Sequence, residues 1–543
     1  MSVAEPPPVR LEVSPEVRDS PLYNDDLAPV PFEKRSWGAL HIASLWVGMV
    51  VCIPTYMLAS SMIEQGMSWT QAIFTIFLGN VIVLLPMVLN GMAGTAYGIS
   101  FPVLVRTSFG TIGTHIPSIM RALVACGWFG IQTAIGGAAI FQLVEAIRPG
   151  LLSGLDPVLP AWVGLSTGQA ITFAIFWALN VYFIVAGTES IKWLETLAAP
   201  FLLLMGLALL GWAVQAGGGF DRILIGKSRF SSSAEFLRVF WPNLTAMVGF
   251  WATLSLNIPD FTRYAKSQKA QIAGQALGLP LPMALFSFIG VATTGATIVV
   301  FGEAIWNPVT LLGRFDSPIV VMISLFVLAV ATLTTNIAAN VIAPANSFAN
   351  VWPRRISLRT GGVIAALIGV AILPWKLLAD PSGYVFTWLI GYSALLGPIA
   401  GIMIADYFIV QRGRILLDEL YKLDGCYGRI SWRAVTALVL AVLPNLPGFL
   451  AQVRTSPLWY ESMLQWWPPI VPASVRGLAE HPQLVAAMRR EAFLDWFGGL
   501  APGLDHLRGA IGTLVDIYPY AWFVGFAVAF VIYALIGRRV AKP

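Results

Sequence analysis

The sequence predicts an all-α protein that crosses a lipid bilayer many times, and three observations support this fold class. Only 61 of the 543 residues are charged, which is 11% against about 25% in soluble domains. In addition, 57% are hydrophobic and the mean hydropathy is +0.74. The apolar runs are long and continuous, whereas a membrane β-barrel alternates over segments of about ten residues. Since lipid offers no hydrogen bonds to the backbone, runs of this kind predict helices.

Apolar stretches of about 20 residues, the length that crosses a bilayer, predict twelve membrane-spanning helices. We number them span 1 to span 12, and they lie near 38–64, 70–91, 116–146, 168–187, 191–216, 235–257, 270–302, 317–343, 361–378, 384–410, 432–451 and 517–537. Lysine and arginine are concentrated in the two tails and the even-numbered connections, which predicts that both termini are cytoplasmic. We therefore expect a multi-pass protein of the cell (inner) membrane.

Two segments outside the predicted spans are notable for their composition or their length. Residues 1–36 are polar and proline-rich, which predicts a disordered cytoplasmic tail without a cleaved signal peptide. Residues 452–516 form a long outer connection between spans 11 and 12. Within it, the apolar and charged pattern from His481 to Phe497 predicts an amphipathic helix on the membrane surface.

An internal repeat divides the spans into two halves. Trp46 is followed seven residues later by an Ile-Pro pair at Ile53, and Trp251 is followed in the same way at Ile258, 205 residues further on. Because the two copies begin on opposite sides of the membrane, the halves are inverted. Helix breakers at matching places in inverted halves indicate a transporter binding site. The predicted units are a first repeat at 37–216, a second repeat at 217–410 and two accessory spans within 411–543.

Span 3 contains the run GWFGIQT from Gly127, which carries candidate ligand-binding groups. Trp128 and Gln132 are four residues apart and therefore share a helix face. A flat indole beside an amide suits a planar heterocycle with alternating C=O and N–H groups. A second indole, Trp251 beside the span 6 break, would allow a ring to be sandwiched. The alternative is that Trp128 packs in the core and Gln132 bonds a neighbouring helix.

Span 8 carries an unusually polar stripe for a membrane helix, with Thr334, Thr335, Asn336 and Asn340. Adjacent hydroxyls offer oxygen ligands to a hard monovalent cation, although threonine and asparagine also join membrane helices by hydrogen bonds. No aspartate or glutamate falls at the centre of a predicted span, and a proton-coupled carrier usually needs a titratable group in its path. This favours Na⁺ over H⁺ and leaves both possible. Asp260 is expected to form a cap or gate pair with Arg263.

Several classes of function are disfavoured. The chain has no P-loop motif, so ATP is not expected to drive it directly, and no catalytic constellation is recognisable, so we do not expect an enzyme. The basic residues are dispersed, which argues against nucleic acid as a partner. The expected partners are a small heterocyclic substrate and the lipid bilayer, with no obligate protein partner and no cofactor beyond a coupling ion.

The sequence resembles the first nucleobase:cation symporter family, which includes hydantoin, allantoin, uracil and cytosine permeases. The motifs that carry the resemblance are LWVGMVVCIPTY from Leu45, NGMAGTAYGISFPVLVRTSFG from Asn90, GWFGIQT from Gly127, FWATLSLNIPDFTRY from Phe250, TTNIAANVIAPAN from Thr334 and LLGPIAGIMIADYFIV from Leu395. The resemblance implies a leucine-transporter-type fold of two inverted five-helix repeats plus two accessory helices. It also implies alternating access, in which one bundle of helices rocks against the other.

The resemblance further implies roles for individual residues. A ring substrate would lie between Trp128 and Trp251, be hydrogen-bonded by Gln132 and Asn340, and be covered on the outer side by Leu396. The implied sodium ligands are the carbonyls of Gly48, Val51 and Ala331 and the hydroxyls of Thr334 and Thr335.

One position departs from the hydantoin-type pattern. Cys52 stands where those relatives have a glutamine that binds substrate, and a thiol is a poor hydrogen-bonding group. This favours uracil or allantoin over hydantoins with bulky substituents. Three hypotheses stay open at this point: an importer coupled to Na⁺ or H⁺, a transporter-like protein that senses the ring, and an amino-acid carrier on the same fold, which the two tryptophans disfavour.

Overall fold

The computed structural model describes residues 13–186, 203–224, 227–378, 383–455, 490–491, 493–499 and 505–539. Within these residues the regular structure is helical, and the one β-type pairing is a backbone bridge between Trp37 and Ala265.

A helix is present at each of the twelve predicted spans. In the first repeat the helices are Ala39–Val50 with Ile53–Glu64 (span 1), Trp69–Tyr97 (span 2), His115–Ile147 (span 3), Thr167–Ala186 (span 4) and Leu203–Ala216 (span 5). In the second repeat they are Ser233–Phe250 with Ala252–Asn257 (span 6), Gln268–Gly278 with Pro280–Phe301 (span 7), Pro318–Asn340 with Ile342–Val351 (span 8), Leu358–Ala371 (span 9) and Thr387–Val410 (span 10). Spans 11 and 12 are Trp432–Val453 and Tyr518–Ile536. The predicted beginning of span 5 lies outside the described residues.

Length and apolarity qualify most of these helices as membrane spans. In the described part of the chain, eight are long and apolar enough to cross a bilayer, and the two halves of span 1, bent by 57°, form a ninth. Spans 5 and 9 are shorter, and span 6 is interrupted. Leu85, Leu285 and Leu535 each expose more than half of their surface, which is expected of side chains whose solvent is hydrocarbon. The protein is therefore a multi-pass membrane protein.

Span 2 shows how the sequence sets the ends of a helix. At its start, Ser68 accepts from the Gln71 amide (3.3 Å) and Gln71 accepts from the Ser68 amide (2.9 Å), which forms a capping box. At its end, Gly98 has a φ of 70°, a left-handed conformation that favours glycine. These caps fix a 29-residue helix that runs beside span 6, as described below.

The N-terminal segment, residues 13–37, is ordered, so the prediction of a disordered tail was wrong for this part of it. It contains three short 3₁₀ turns, and Val17, Leu22, Leu27 and Val30 are buried. Residues 1–12 lie outside the described residues. The sequence analysis missed these apolar side chains because they are spaced too irregularly to form a periodic pattern.

Hydrogen bonds connect the N-terminal segment to both repeats and to the loop before span 11. Arg35 donates to the Thr95 carbonyl at the end of span 2 (2.8 Å), and the Trp37 amide donates to the Tyr264 carbonyl after span 6 (2.9 Å). The remaining bonds run from Asn24 to the Pro353 carbonyl (2.8 Å), from Arg263 to the Asp26 carbonyl (3.0 Å) and from the Ser14 amide to Asp418 (3.0 Å). The segment therefore joins elements that are far apart in sequence.

The outer connection is described only in part. Of the predicted helix from His481 to Phe497, residues 481–489 and 492 lie outside the described residues. Residues 493–499 are helical, with Phe493 and Leu494 buried. Arg508 at the start of the helix Arg508–Asp516 donates to Asp495 (2.6 Å), which ties this piece to the base of span 12.

Candidate functional site

Span 1 is broken at Val51 and Cys52, directly before the Ile-Pro pair. Cys52 is extended, with φ −144° and ψ 158°. The Cys52 amide donates to the Val50 carbonyl (2.9 Å) and the Thr55 amide to the Cys52 carbonyl (3.2 Å). In a continuous helix these two amides would serve the carbonyls of Gly48 and Val51. The break therefore releases two carbonyls from the regular helical pattern.

Span 8 brings three oxygen atoms together one turn before Asn336. The hydroxyls of Thr334 and Thr335 both donate to the Ala331 carbonyl, at 2.8 and 3.0 Å. All three residues are buried, and the helix Ala39–Val50 packs against this helix. Neutral oxygens at this spacing, facing a helix with released carbonyls, suit a monovalent cation without a carboxylate.

Span 6 is interrupted at Trp251, between the helices Ser233–Phe250 and Ala252–Asn257. The sequence predicted a break at Ile258-Pro259, but Ile258 keeps helical angles (φ −52°, ψ −30°), whereas Trp251 has φ −101° and ψ 6°. The Tyr392 hydroxyl of span 10 donates to the Gly249 carbonyl (2.9 Å). A side chain from another span therefore satisfies a carbonyl beside this break.

The two repeat-equivalent tryptophans are in contact. The ring centroids of Trp46 and Trp251 lie 5.2 Å apart with an interplanar angle of 81°. Contact between equivalent residues is expected where two inverted repeats meet at their pseudo-two-fold axis. The repeat seen in the sequence therefore corresponds to a real juxtaposition beside the span 6 break.

An aromatic cluster extends from this break to span 3 and span 10. Phe250 contacts both predicted ring-binding residues, with centroids 5.1 Å from Trp128 and 4.9 Å from Trp251. Trp388 and Tyr392 lie on the other side, 6.1 and 6.4 Å from Trp128. All of these contacts are edge-to-face, with interplanar angles between 68° and 77°. The cluster is a wall of indole and phenyl groups rather than a parallel stack.

Asn340 belongs to an amide network that ends at the same stretch of span 3. Its Nδ2 donates to Asn336 Oδ1 (3.0 Å). Asn336 in turn donates to the Phe129 carbonyl (3.1 Å), to the Thr133 hydroxyl (3.3 Å) and to Asn180 Oδ1 of span 4 (3.2 Å). Asn336 thus acts as the connection between helices that the sequence analysis allowed, and it holds Asn340 next to the residues that flank Trp128 and Gln132.

Gln132 is buried, and its Oε1 has no hydrogen-bond partner among the described atoms. A buried amide oxygen without a donor costs about 1–3 kcal/mol, and this oxygen is therefore available to a further hydrogen-bond donor. Gly127 lets the Trp388 indole lie directly against span 3, since a methyl group there would overlap the ring. Gly130 lets span 3 approach the Gly369 carbonyl of span 9 in the same way.

The structure connects the other predicted residues to the site less directly. Cys52 is buried at the span 1 break, and its Sγ lies 3.3 Å from the Thr55 hydroxyl. Leu396 is fully buried in span 10, one turn after Tyr392. Both lie on helices that border the cluster, and their roles toward a substrate stay predictions.

Asp260 has a different partner from the one predicted. Its carboxylate accepts from the Phe101 amide (2.8 Å) and so caps the short helix Phe101–Leu104. The Arg263 guanidinium donates instead to the Asp26 carbonyl and the Tyr264 hydroxyl (2.9 Å). The cap role is therefore present, whereas the hydrogen bonds of Arg263 go to the N-terminal segment and its own neighbour.

Sequence reasoning missed several residues of the site. Trp388 and Tyr392 are spaced one turn apart on the helix that holds Leu396, and this spacing was an available signal. Asn80 is the one polar residue in the run IFLGNVIVLLP of span 2, and an amide in such a run commonly has a specific partner. Nothing in the sequence marked Phe250 as a site residue, because phenylalanine is common in membrane helices.

Comparison with known proteins identifies a family to which this sequence is similar. Residues 29–467 match the model of a family described as permeases for cytosine/purines, uracil, thiamine and allantoin. The chain is 45% identical over 442 residues to the purine-uracil permease NCS1 of Arabidopsis thaliana, covering 80% of this chain and 73% of that protein. It is 39% identical over 444 residues to the allantoin permease of Bacillus subtilis (strain 168), covering 80% and 89%.

A solved structure of Mhp1 in an inward-facing conformation has the same fold. The TM-score is 0.66 at 24% identity, covering 90% of this chain and 97% of that one, which identifies the leucine-transporter-type fold predicted from the repeats. Together with the match over most of the sequence, this establishes that the chain belongs to the family of permeases for cytosine and purines, uracil, thiamine and allantoin.

Proposed function

We propose that the protein is a secondary active symporter that imports a nucleobase or hydantoin-like ring by alternating access, coupled to a cation that is Na⁺ rather than H⁺. Uracil and allantoin are the favoured substrates. Two relatives, named as a purine-uracil permease and an allantoin permease, support this substrate class.

The observation that carries the proposal is the buried Gln132 amide oxygen without a donor, on the same helix face as Trp128. A ring N–H would satisfy that oxygen, and the aromatic wall of Trp128, Phe250 and Trp251 would bury the ring faces. Asn340, held by Asn336, supplies a further amide on the facing helix. A neutral planar ring with adjacent donors and acceptors complements these groups, whereas an amino acid would need a partner for its carboxylate.

The oxygen set supports Na⁺ as the coupling ion. The released carbonyls of Gly48 and Val51 and the oxygens of Ala331, Thr334 and Thr335 would hold the ion. None of these groups titrates near neutral pH. The ion would join span 1 to span 8 and so favour the arrangement that binds the ring.

Uptake by purified protein in proteoliposomes tests the proposal. We expect radiolabelled uracil or allantoin to accumulate against its gradient when Na⁺ is imposed from outside, and a pH gradient alone to drive nothing. Gln132→Ala provides a matched variant, since it removes the amide oxygen that would accept from the ring N–H, and it should abolish accumulation while the protein still reaches the membrane. Accumulation driven by a pH gradient without Na⁺ would replace Na⁺ by H⁺ in the proposal.

A second function, a transporter-like sensor, predicts binding without accumulation. Thermal stabilisation of the purified protein by uracil, allantoin, hydantoins, cytosine and purines, each with and without Na⁺, separates the outcomes. Stabilisation by a ring together with failure to accumulate it would favour the sensor. Absence of stabilisation by every ring would reject the substrate class.

A further inference from the structure

A single hydrogen bond fixes the second indole of the site. Trp251 Nε1 donates to Asn80 Oδ1 at 2.9 Å, and both side chains are buried, Asn80 completely. The indole N–H is the only polar group of tryptophan, so this bond sets the orientation of the ring about its attachment to the backbone.

The orientation of the Asn80 amide is itself determined. Its Nδ2 donates to the Ile76 carbonyl in the preceding turn of span 2 (2.7 Å). If the amide were flipped, Nδ2 would face the indole N–H and Oδ1 would face the Ile76 carbonyl, which gives two repulsive contacts. The amide therefore presents a fixed acceptor to Trp251.

Aromatic neighbours restrain the same indole from two sides. Trp46 contacts it at 5.2 Å and 81°, and Phe250 at 4.9 Å and 77°. Both are edge contacts, so neither neighbour stacks in parallel on the indole face. Because span 6 is interrupted at Trp251, the Trp251 amide does not make the regular helical hydrogen bond and donates to the Gly249 carbonyl instead, while its carbonyl still accepts from the Ser255 amide (2.9 Å).

We infer that Asn80 is a positioning residue, which sets the affinity for the ring substrate by holding the Trp251 indole in its binding orientation. This rests on the proposed function, because it assigns Trp251 to the ring site. Asn80 acts through Trp251 and need not contact the substrate. The bond also crosses between the repeats, from span 2 of the first to span 6 of the second.

Span 2 offers a matched control. Asn90 Nδ2 donates to the Ser255 carbonyl in the second half of span 6 at 2.7 Å. It joins the same two spans with a bond of similar length, but its partner is backbone and not the indole. Asn90→Leu should therefore lower thermal stability without a selective loss of ring affinity.

A double-mutant cycle tests the inference. Asn80→Leu removes the acceptor, Trp251→Phe removes the donor and keeps an aromatic ring, and the third variant combines them. We expect Asn80→Leu to raise KM for uptake about tenfold, the effect of losing one well-formed buried hydrogen bond, with the maximal rate unchanged. In the Trp251→Phe background, Asn80→Leu should have no further effect. Multiplicative effects, or an equal rise in KM for Asn90→Leu, would overturn the inference.

Asn80→Asp is a control for misfolding as the cause of a raised KM. In this apolar position the carboxyl group would be protonated, so its O–H can donate to Ile76 while its C=O accepts from Trp251. We expect KM within about twofold of wild type, since both bonds are preserved. A KM as high as that of Asn80→Leu would contradict the positioning role.

A ligand-free measurement separates this inference from the proposed function. The indole ¹⁵N–¹H resonance of Trp251, identified as the signal lost in Trp251→Phe, should shift upfield in Asn80→Leu and stay in place in Asn90→Leu. If no ring binds the wild type while this resonance shifts, the proposed function fails and the Asn80 restraint stands. If the resonance does not move, the restraint itself is refuted.

Discussion

The breaks in spans 1 and 6 begin from matching sequences and end as different structures. In span 1 the backbone becomes extended at Cys52 and releases the carbonyls of Gly48 and Val51. In span 6 the backbone is interrupted at Trp251, where Tyr392 satisfies the Gly249 carbonyl and Asn80 holds the indole. One break exposes backbone oxygens and the other presents a side chain.

The difference shows how two inverted copies of one sequence pattern can offer different chemistry. Backbone oxygens suit a cation, because a carbonyl is a fixed neutral ligand, whereas an aromatic plane suits a flat ring. The packing partners also differ: span 8, which carries the Thr334 and Thr335 hydroxyls, packs against the first half of span 1, whereas span 10 donates a tyrosine hydroxyl beside the second break. The predictions below alter one break at a time, in order of decreasing effect.

Removal of an indole should have the largest effect. We expect Trp128→Ala or Trp251→Ala to lower ring uptake at least about 100-fold, because each deletes a large aromatic contact surface at the site. Uptake corrected for the amount of protein in the membrane measures this. Trp432→Ala, at a tryptophan that is 70% exposed, should transport normally; wild-type uptake by both site variants would remove the ring assignment.

Loss of the Thr334 and Thr335 hydroxyls should have the second-largest effect. It should change the Na⁺ dependence of uptake, because the proposed ion lies at the span 1 break. In the double variant of Thr334→Ala and Thr335→Ala we expect the Na⁺ concentration for half-maximal uptake to rise about 30-fold, since two of the five proposed oxygen ligands are lost. Thr332→Val removes a hydroxyl from the same buried helix and should leave the Na⁺ dependence intact. An unchanged Na⁺ dependence in the double variant would place the ion elsewhere.

Tyr392→Phe should act more mildly on the span 6 break. It removes the Tyr392 hydroxyl from the buried Gly249 carbonyl, which keeps the Trp251 amide as a donor. Loss of this hydrogen bond costs about 0.5–1.5 kcal/mol and should lower the thermal unfolding temperature. Ring affinity should fall a few-fold while Na⁺ dependence is retained. An effect on Na⁺ dependence equal to that on the ring would show that the two breaks do not act separately.

Cys52→Gln should have the smallest effect and concerns selectivity. A glutamine here adds one hydrogen-bonding group beside the site, worth about 0.5–1.5 kcal/mol. We expect affinity for hydantoins to rise two- to tenfold relative to uracil, measured as competition against the same labelled substrate. Cys52→Ser, which adds a hydroxyl of similar size, controls for the loss of the thiol; equal selectivity in all three proteins would show that this position does not face the ring.

Much of the fold followed from local sequence, and parts of the site did not. Long apolar runs predicted helices at the right places because a bilayer leaves few alternatives, and helical spacing placed Trp128 with Gln132 and Asn336 with Asn340. Phe250, Trp388 and Asn80 were missed because their roles arise from partners more than a hundred residues away. The span 6 interruption fell at Trp251 instead of Ile258-Pro259, since the proline closes its own short turn there without leaving the helical region.

The ordered N-terminal segment resists separation of the helix ends that it joins. Its hydrogen bonds end on span 2 through Thr95, after span 6 through Tyr264, and after span 8 through Pro353. Any motion that separates spans 6 and 8 at these ends has to break the bonds to one of them, at about 0.5–1.5 kcal/mol each. Two or three such bonds total about 1–4.5 kcal/mol, which shifts a two-state population by roughly 5- to 2,000-fold. A peptide of 25 residues therefore acts as a clasp on three helix ends that are far apart in sequence.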